Sequence, residues 1–186
     1  MTLSIDNYWL NTARRVASPN HDLRPPGGEI DLLVVHGISL PPRQYGGPEI
    51  EAFFCNSLVP DGHPYFAGIA GVQVSAHLLI RRDGELVQFV ALDERAWHAG
   101  ESCFDGRERC NDFSIGIELE GCDDEAYETA QYERLVELCI VLMAAYPGIT
   151  PERIVGHCDI APGRKTDPGQ AFDWRYFRRL LAGEER

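Results

Sequence analysis

The sequence has no apolar run approaching the roughly 18 residues that a membrane-spanning helix needs. Its first residues, Met1-Thr2-Leu3-Ser4-Ile5-Asp6-Asn7-Tyr8-Trp9, carry neither a basic n-region nor an apolar h-region, so no signal peptide is expected. Cysteine never occurs as C-x-x-C, and without an export signal Cys55, Cys103, Cys110, Cys122, Cys139 and Cys158 are expected to be free thiols. Positive charge is scarce: 17 Lys and Arg stand against 29 Asp and Glu, for a net charge of −12 and a pI near 4.8. Such a surface repels phosphate backbones and anionic lipid heads, so neither nucleic acid nor a membrane is an expected partner. A local basic pocket remains open to a small anionic ligand. No obligate protein partner is evident, and the expected compartment is the cytoplasm.

Repeats, low-complexity tracts and Ser/Gly linkers are absent as well, which leaves residues 1–186 as one domain, long enough to bury a full core without disulfides. Residues 1–30 read as an extended arm closed by Pro25-Pro26-Gly27-Gly28. The run from Ile30 to His36 is short, apolar and β-branched, as in a buried central strand. Gly37 to Gly71 is a Pro- and Gly-rich loop with one helical candidate, Glu49 to Asn56. Two strands, Val74 to Arg81 and Glu85 to Leu92, flank the turn Arg82-Asp83-Gly84. Ser114 to Glu120 alternates apolar with small or polar residues, as in a half-buried strand. Thr129 to Tyr146 has helical spacing and is stopped by Pro147-Gly148. Ile154 to His157 is a short strand, and Trp174 to Ala182 an amphipathic helix. The expected class is α/β, a central mixed sheet flanked by helices.

His36 and His157 each end a β-branched run, where a sheet presents side chains to a cleft. Asp167 follows ten residues after His157, in a loop shaped by Pro162, Gly163 and Pro168. Two imidazoles and a carboxylate would leave one position of tetrahedral zinc open; equally, two partly buried histidines and a turn aspartate would give this pattern. Glu118 and Glu120 share one strand face, suited either to proton transfer beside a metal or to solvent. Lys165 is a candidate oxyanion donor or a surface lysine. His77 reads as a satisfied buried histidine, His98 as lining a groove beside Trp97, and His21 and His63 as loop residues. A nucleophilic Cys158 is a weaker alternative, because strand alternation after His157 would turn it away.

Taken together, Leu33 to Pro42, His63-Pro64-Tyr65-Phe66, Val74 to His77, Arg81 to Gly84, Ala96-Trp97-His98-Ala99-Gly100, Gly106 to Asp112, Ser114 to Gly121, and Gly156-His157-Cys158 continuing to Lys165-Thr166-Asp167-Pro168-Gly169 fall in a familiar order. Over nearly its whole length the chain resembles the zinc amidases of the amidase_2 and peptidoglycan-recognition superfamily, and within it the cytosolic 1,6-anhydro-N-acetylmuramoyl-L-alanine amidases. The resemblance implies one zinc held by His36, His157 and Asp167, Glu118 as general base, Lys165 as oxyanion partner, and Arg109, Arg107 and Trp97 in contact with substrate. It implies cleavage between the lactyl group of N-acetylmuramic acid and L-alanine in recycled anhydro-muropeptides. An exported amidase acting on polymeric peptidoglycan and a non-catalytic peptidoglycan-binding module are the alternatives. Gly37 stands where the family pattern has asparagine, and Gln73 where it has arginine. Either departure would alter substrate contacts or pocket flexibility.

Overall fold

A seven-residue strand of nearly unbroken apolar character cannot face water on either side, and the computed structural model, which describes residues 2–184, places it inside a sheet, paired on both edges. Met1 and the last two residues of the expected 1–186 domain lie outside the described residues. The sheet has six strands: β1 (Arg14–Arg15), β2 (Leu32–Ile38), β3 (Leu78–Ile80), β4 (Leu86–Gln88), β5 (Ser114–Glu120) and β6 (Ile154–Gly156), in the order β6-β2-β5-β3-β4-β1. All neighbours are parallel except the β3–β4 hairpin, so the sheet is mixed.

Among the described residues four α-helices accompany it: α1 (Glu49–Phe54), α2 (Thr129–Ala145), α3 (His157–Ile160) and α4 (Trp174–Leu181). Leu33 and Val35 of β2 and Ile115, Ile117 and Leu119 of β5 pack with Leu135, Leu138 and Leu142 of α2 and with Phe177 of α4. The opposite face of β2, Leu32 and Val34, packs on Ala99, Cys110, Phe113 and Ile160. Both faces are therefore covered, which is why all seven residues of β5 are buried and not the expected half. The alternation read from the sequence is real, but its polar side looks into a lined interior.

Three other expectations change. The N-terminal arm is not simply extended. Ile5–Asp6 pairs with Trp9–Leu10, β1 joins the sheet edge, and His21–Leu23 pairs with Glu94–Ala96. A buried glutamine, Gln88, fastens it by donating to the carbonyls of Tyr8 and Val90 and accepting from the amide of Leu10. The two strands of the hairpin are much shorter than Val74–Arg81 and Glu85–Leu92. Residue His157 begins α3 and does not end a strand, because Asp159 folds back to accept the amide of Gly156 and turns the chain into a helix. The long loop after β2 is ordered: Leu40, Ile50, Phe54 and Phe66 bury against Ala76, Leu79 and Phe89.

Candidate active site

Parallel register sets the site. Glu118 of β5 lies directly beside His36 of β2, and β6, on the other side of β2, delivers the chain to His157. The loop carrying Asp167 is tied back by a hydrogen bond from the amide of Cys158 to the carbonyl of Asp167. Residues from two distant parts of the sequence thereby converge. His36 Nδ1 and His157 Nδ1 are 2.9 Å apart, and Asp167 Oδ2 lies 3.2 Å and 3.0 Å from them.

The outer nitrogens decide what sits between these atoms. His157 Nε2 faces the carbonyl of Ala99 at 3.1 Å, and a carbonyl only accepts, so Nε2 carries the proton and Nδ1 is a bare lone pair. His36 Nε2 is engaged by His98 Nδ1 at 2.9 Å. Two imidazole lone pairs and a carboxylate oxygen packed this closely repel one another unless a positive charge lies among them, so the donor set fits a cation. Burial pushes the His36 pKa down to about 4, which keeps the ring neutral and available as a ligand. Burial alone would raise the pKa of Asp167, but the two imidazoles that face its Oδ2 outweigh burial and hold the group below the usual carboxylate range.

The cluster forms the floor of a cavity of about 670 Å³, together with His98, Glu118 and Lys165. Its lining is apolar at Phe53, Tyr65, Ile69 and Val72 and charged at Arg43, Asp123 and Asp124. Glu118 is buried, and its Oε2 has no hydrogen-bond partner among the described residues. Burial first, and the charge of Asp167 second, raise its pKa well above the ordinary value, while Lys165 pulls the other way. An unpaired carboxylate at a reaction centre is the kind of group that exchanges protons. Glu120, two residues on, is fully engaged instead. It pairs with Arg81 at 2.9 Å and accepts the amides of Gly46 and Arg82. Lys165 is the one lysine of the sequence, and it lines the cavity.

The remaining candidates lie elsewhere. Arg107 pairs with Asp31 at 2.6 Å and stacks on the ring of Phe113, outside the cavity. Trp97 hydrogen-bonds Asp22 through its side chain, and only its neighbours Ser75 and His98 reach the cavity. Arg109 is exposed, 3.3 Å from Asp112, and borders a second hollow with Arg164, Glu101 and Ser102. Cys158 does not line the cavity; burial raises its thiol pKa, which disfavours the thiolate a nucleophile needs. His77 is a satisfied core histidine, accepting the Gly116 amide and facing the Glu94 carbonyl.

Sequence reasoning missed two contacts. His98 touches His36, a relation that spacing within Ala96 to Gly100 could not announce. Gly37 is bounded by Tyr127: a Cβ there would stand 2.4 Å from the tyrosine hydroxyl, which donates to the carbonyl of Pro168 beside Asp167. A side chain at residue 37 therefore competes for space with that contact. Gln73 borders a smaller apolar hollow beside Phe53 and Phe66.

Residues 26–170 match the N-acetylmuramoyl-L-alanine amidase family, Amidase_2. The chain belongs to that family. The amidase is 60% identical over 177 residues to the 1,6-anhydro-N-acetylmuramyl-L-alanine amidase AmpD of Salmonella typhimurium strain SL1344, covering 95% of this chain and 94% of that one. A crystal structure of a selenomethionine derivative of AmpD superposes with a TM-score of 0.92 at 59% identity, covering 95% of this chain and 98% of that one. The amidase AmiD from E. coli, solved in complex with the substrate anhydro-N-acetylmuramic acid-L-Ala-D-gamma-Glu-L-Lys, superposes at a TM-score of 0.59 with 29% identity, covering 99% of this chain and 66% of that one. The six-stranded mixed sheet and its helices are thus the amidase fold. Among the described residues no helix is long and apolar enough to cross a membrane.

Proposed function

We propose that this amidase hydrolyses the bond between the lactyl group of 1,6-anhydro-N-acetylmuramic acid and L-alanine in soluble muropeptides, as a step of cytoplasmic cell-wall recycling. The observation that carries the reading is the convergence of His36 Nδ1, His157 Nδ1 and Asp167 Oδ2 beside a buried, unpartnered Glu118 oxygen. Relatives named for the anhydro substrate, at high identity over nearly the full length, support the choice of substrate. His36, His157 and Asp167 would hold one zinc ion. Bound there, zinc would supply a Lewis acid for the scissile carbonyl and bring the pKa of water toward neutrality. Glu118 takes the proton of the attacking water as the new C–O bond forms. It returns that proton to the alanine nitrogen as the C–N bond breaks. The Lys165 ammonium donates to the oxyanion that develops on the carbonyl.

The test is mass spectrometry of purified protein with a soluble anhydro-muropeptide or with intact sacculi, with and without a chelator. Free stem peptide should appear from the muropeptide, stop with chelator and return with added zinc. The purified protein should carry about one zinc per chain, and His36→Ala, His157→Ala and Asp167→Ala should each lose most of it. Equal cleavage of sacculi would move the protein to the amidases of polymeric wall. Full zinc content in all three variants would discard the ligand set.

Arg109 enters through charge. The stem peptide bears free carboxylates, and guanidinium pairs bidentately with them. Its partner in the structure, Asp112, is also held by Arg95 at 2.5 Å, so releasing Arg109 to a ligand leaves no carboxylate unpaired. Arg109→Ala should lower kcat/KM for the anhydro-muramyl tripeptide roughly tenfold, about one charge-assisted hydrogen bond. With a substrate ending at L-alanine the same change should matter much less. An equal loss on both substrates would show that Arg109 does not read the peptide.

A further inference from the structure

His98 is buried at the cavity floor, and the hydrogen bonds around it form a single line. His36 Nε2 is 2.9 Å from His98 Nδ1, His98 Nε2 is 3.2 Å from Ser114 Oγ, and Ser114 Oγ donates to the carbonyl of Cys110 at 2.6 Å. The far end fixes the direction of every proton. The Cys110 carbonyl has none to give, so the single hydroxyl proton of Ser114 goes to it. Ser114 can then only accept from His98, which places a proton on His98 Nε2. His98 Nδ1 is left bare, and accepts from His36 Nε2–H. His36 Nδ1 is consequently bare and aimed at His157 and Asp167.

Geometry holds the line in place. The His98 ring lies against the backbone of Gly116, where a Cβ would meet its Cγ at 2.4 Å, and it meets the His36 ring edge-on at an interplanar angle of 88°. Both amides of His98 and Ala99 donate to the Asn111 side chain, which fixes the segment. The reverse tautomer of His98 would point an N–H at His36 and require the proton of His36 to move to Nδ1, among the ligand atoms.

We propose that His98 is a positioning residue of this centre: ordered by Ser114 and the Cys110 carbonyl, it fixes the tautomer and the ring direction of His36 that metal binding requires. This rests on the zinc reading above. The test is zinc affinity, measured by competition with a chromophoric chelator, on wild type, His98→Leu, His98→Asn and Ser114→Ala, each checked for folding by thermal unfolding. Loss of a hydrogen-bond partner behind a metal-binding histidine costs about 10–100-fold in affinity, and His98→Leu should fall in that range. His98→Asn should recover most of it, because its Oδ1 stands where Nδ1 stood. Ser114→Ala should lose less than His98→Leu, since only the ordering of His98 is relaxed. Nitrogen-15 NMR of the zinc-loaded wild type should show His98 protonated at Nε2 and bare at Nδ1. That signature decides the matter even if His98→Leu does not fold. The opposite tautomer, or zinc affinity unchanged in folded His98→Leu, overturns the inference and leaves the ligand set standing. Failure of wild type to bind zinc overturns the ligand set too.

Discussion

Glu118→Gln should retain zinc and bind muropeptide with near-normal affinity, yet lose on the order of 10²–10⁴ in kcat, the size of a general-base effect. Glutamine keeps the shape of the side chain but has no lone pair basic enough to take a proton from water. Single-turnover and steady-state rates with the anhydro-muramyl tripeptide would separate chemistry from binding, and zinc content would be measured on the same samples. Glu120→Gln makes the contrast. Its target carries a buried ion pair with Arg81 and two backbone amides, so the change should lower stability and leave turnover of the folded fraction close to normal. If Glu120→Gln were the crippled enzyme and Glu118→Gln near normal, the general base would be misassigned.

The same residue predicts a stability effect of opposite sign. Burial, and then Asp167, raise the folded pKa of Glu118 above its unfolded value. The folded state therefore prefers the protonated acid. No cost is felt below the unfolded pKa, and a cost accumulates as pH rises from there through the folded pKa. Metal-free Glu118→Gln should then melt higher than metal-free wild type at neutral pH, with the gap closing in acid. A group kept at the expense of stability and without a partner for Oε2 is one retained for chemistry.

Much of this was legible in the sequence where a period carries the information. Ser114–Glu120 and the long helix from Thr129 were marked by alternation and by 3.6-residue spacing, and both stand as read to within a residue. What period cannot carry is identity of partners. Glu118 and Glu120 lie on one strand face and are equivalent by pattern. They differ because Arg81 and the amides of Gly46 and Arg82, from distant loops, close on one of them only. Two-residue strands in the N-terminal arm leave no periodic trace, since a side chain of Gln88 supplies the bonds that pin them. Arg107, two residues from Arg109, looks equally suited to an anion, but Asp31, 76 residues away, and the ring of Phe113 occupy it.

Lys165→Ala should cost about 10²–10³ in kcat, the usual loss for one oxyanion donor, with a smaller change in KM. The expectation has a second, independent route to test because no other lysine exists in the chain. An amine-directed reagent can therefore modify only this side chain and the terminal α-amine, and peptide mapping tells the two apart. Lys165 is exposed on the cavity wall, with its backbone held by the Ala161 carbonyl at 3.0 Å, so the reagent has access to a side chain of fixed origin. Modification of Lys165 should follow activity loss one for one, and saturating anhydro-muropeptide should slow both together. Lys165→Arg keeps the charge but not the point-like ammonium, so it should recover only part of the rate and be indifferent to the reagent. An enzyme fully modified at Lys165 that still turns over at the wild-type rate would remove this residue from the mechanism, and would leave the carbonyl oxygen to whatever His36, His157 and Asp167 hold.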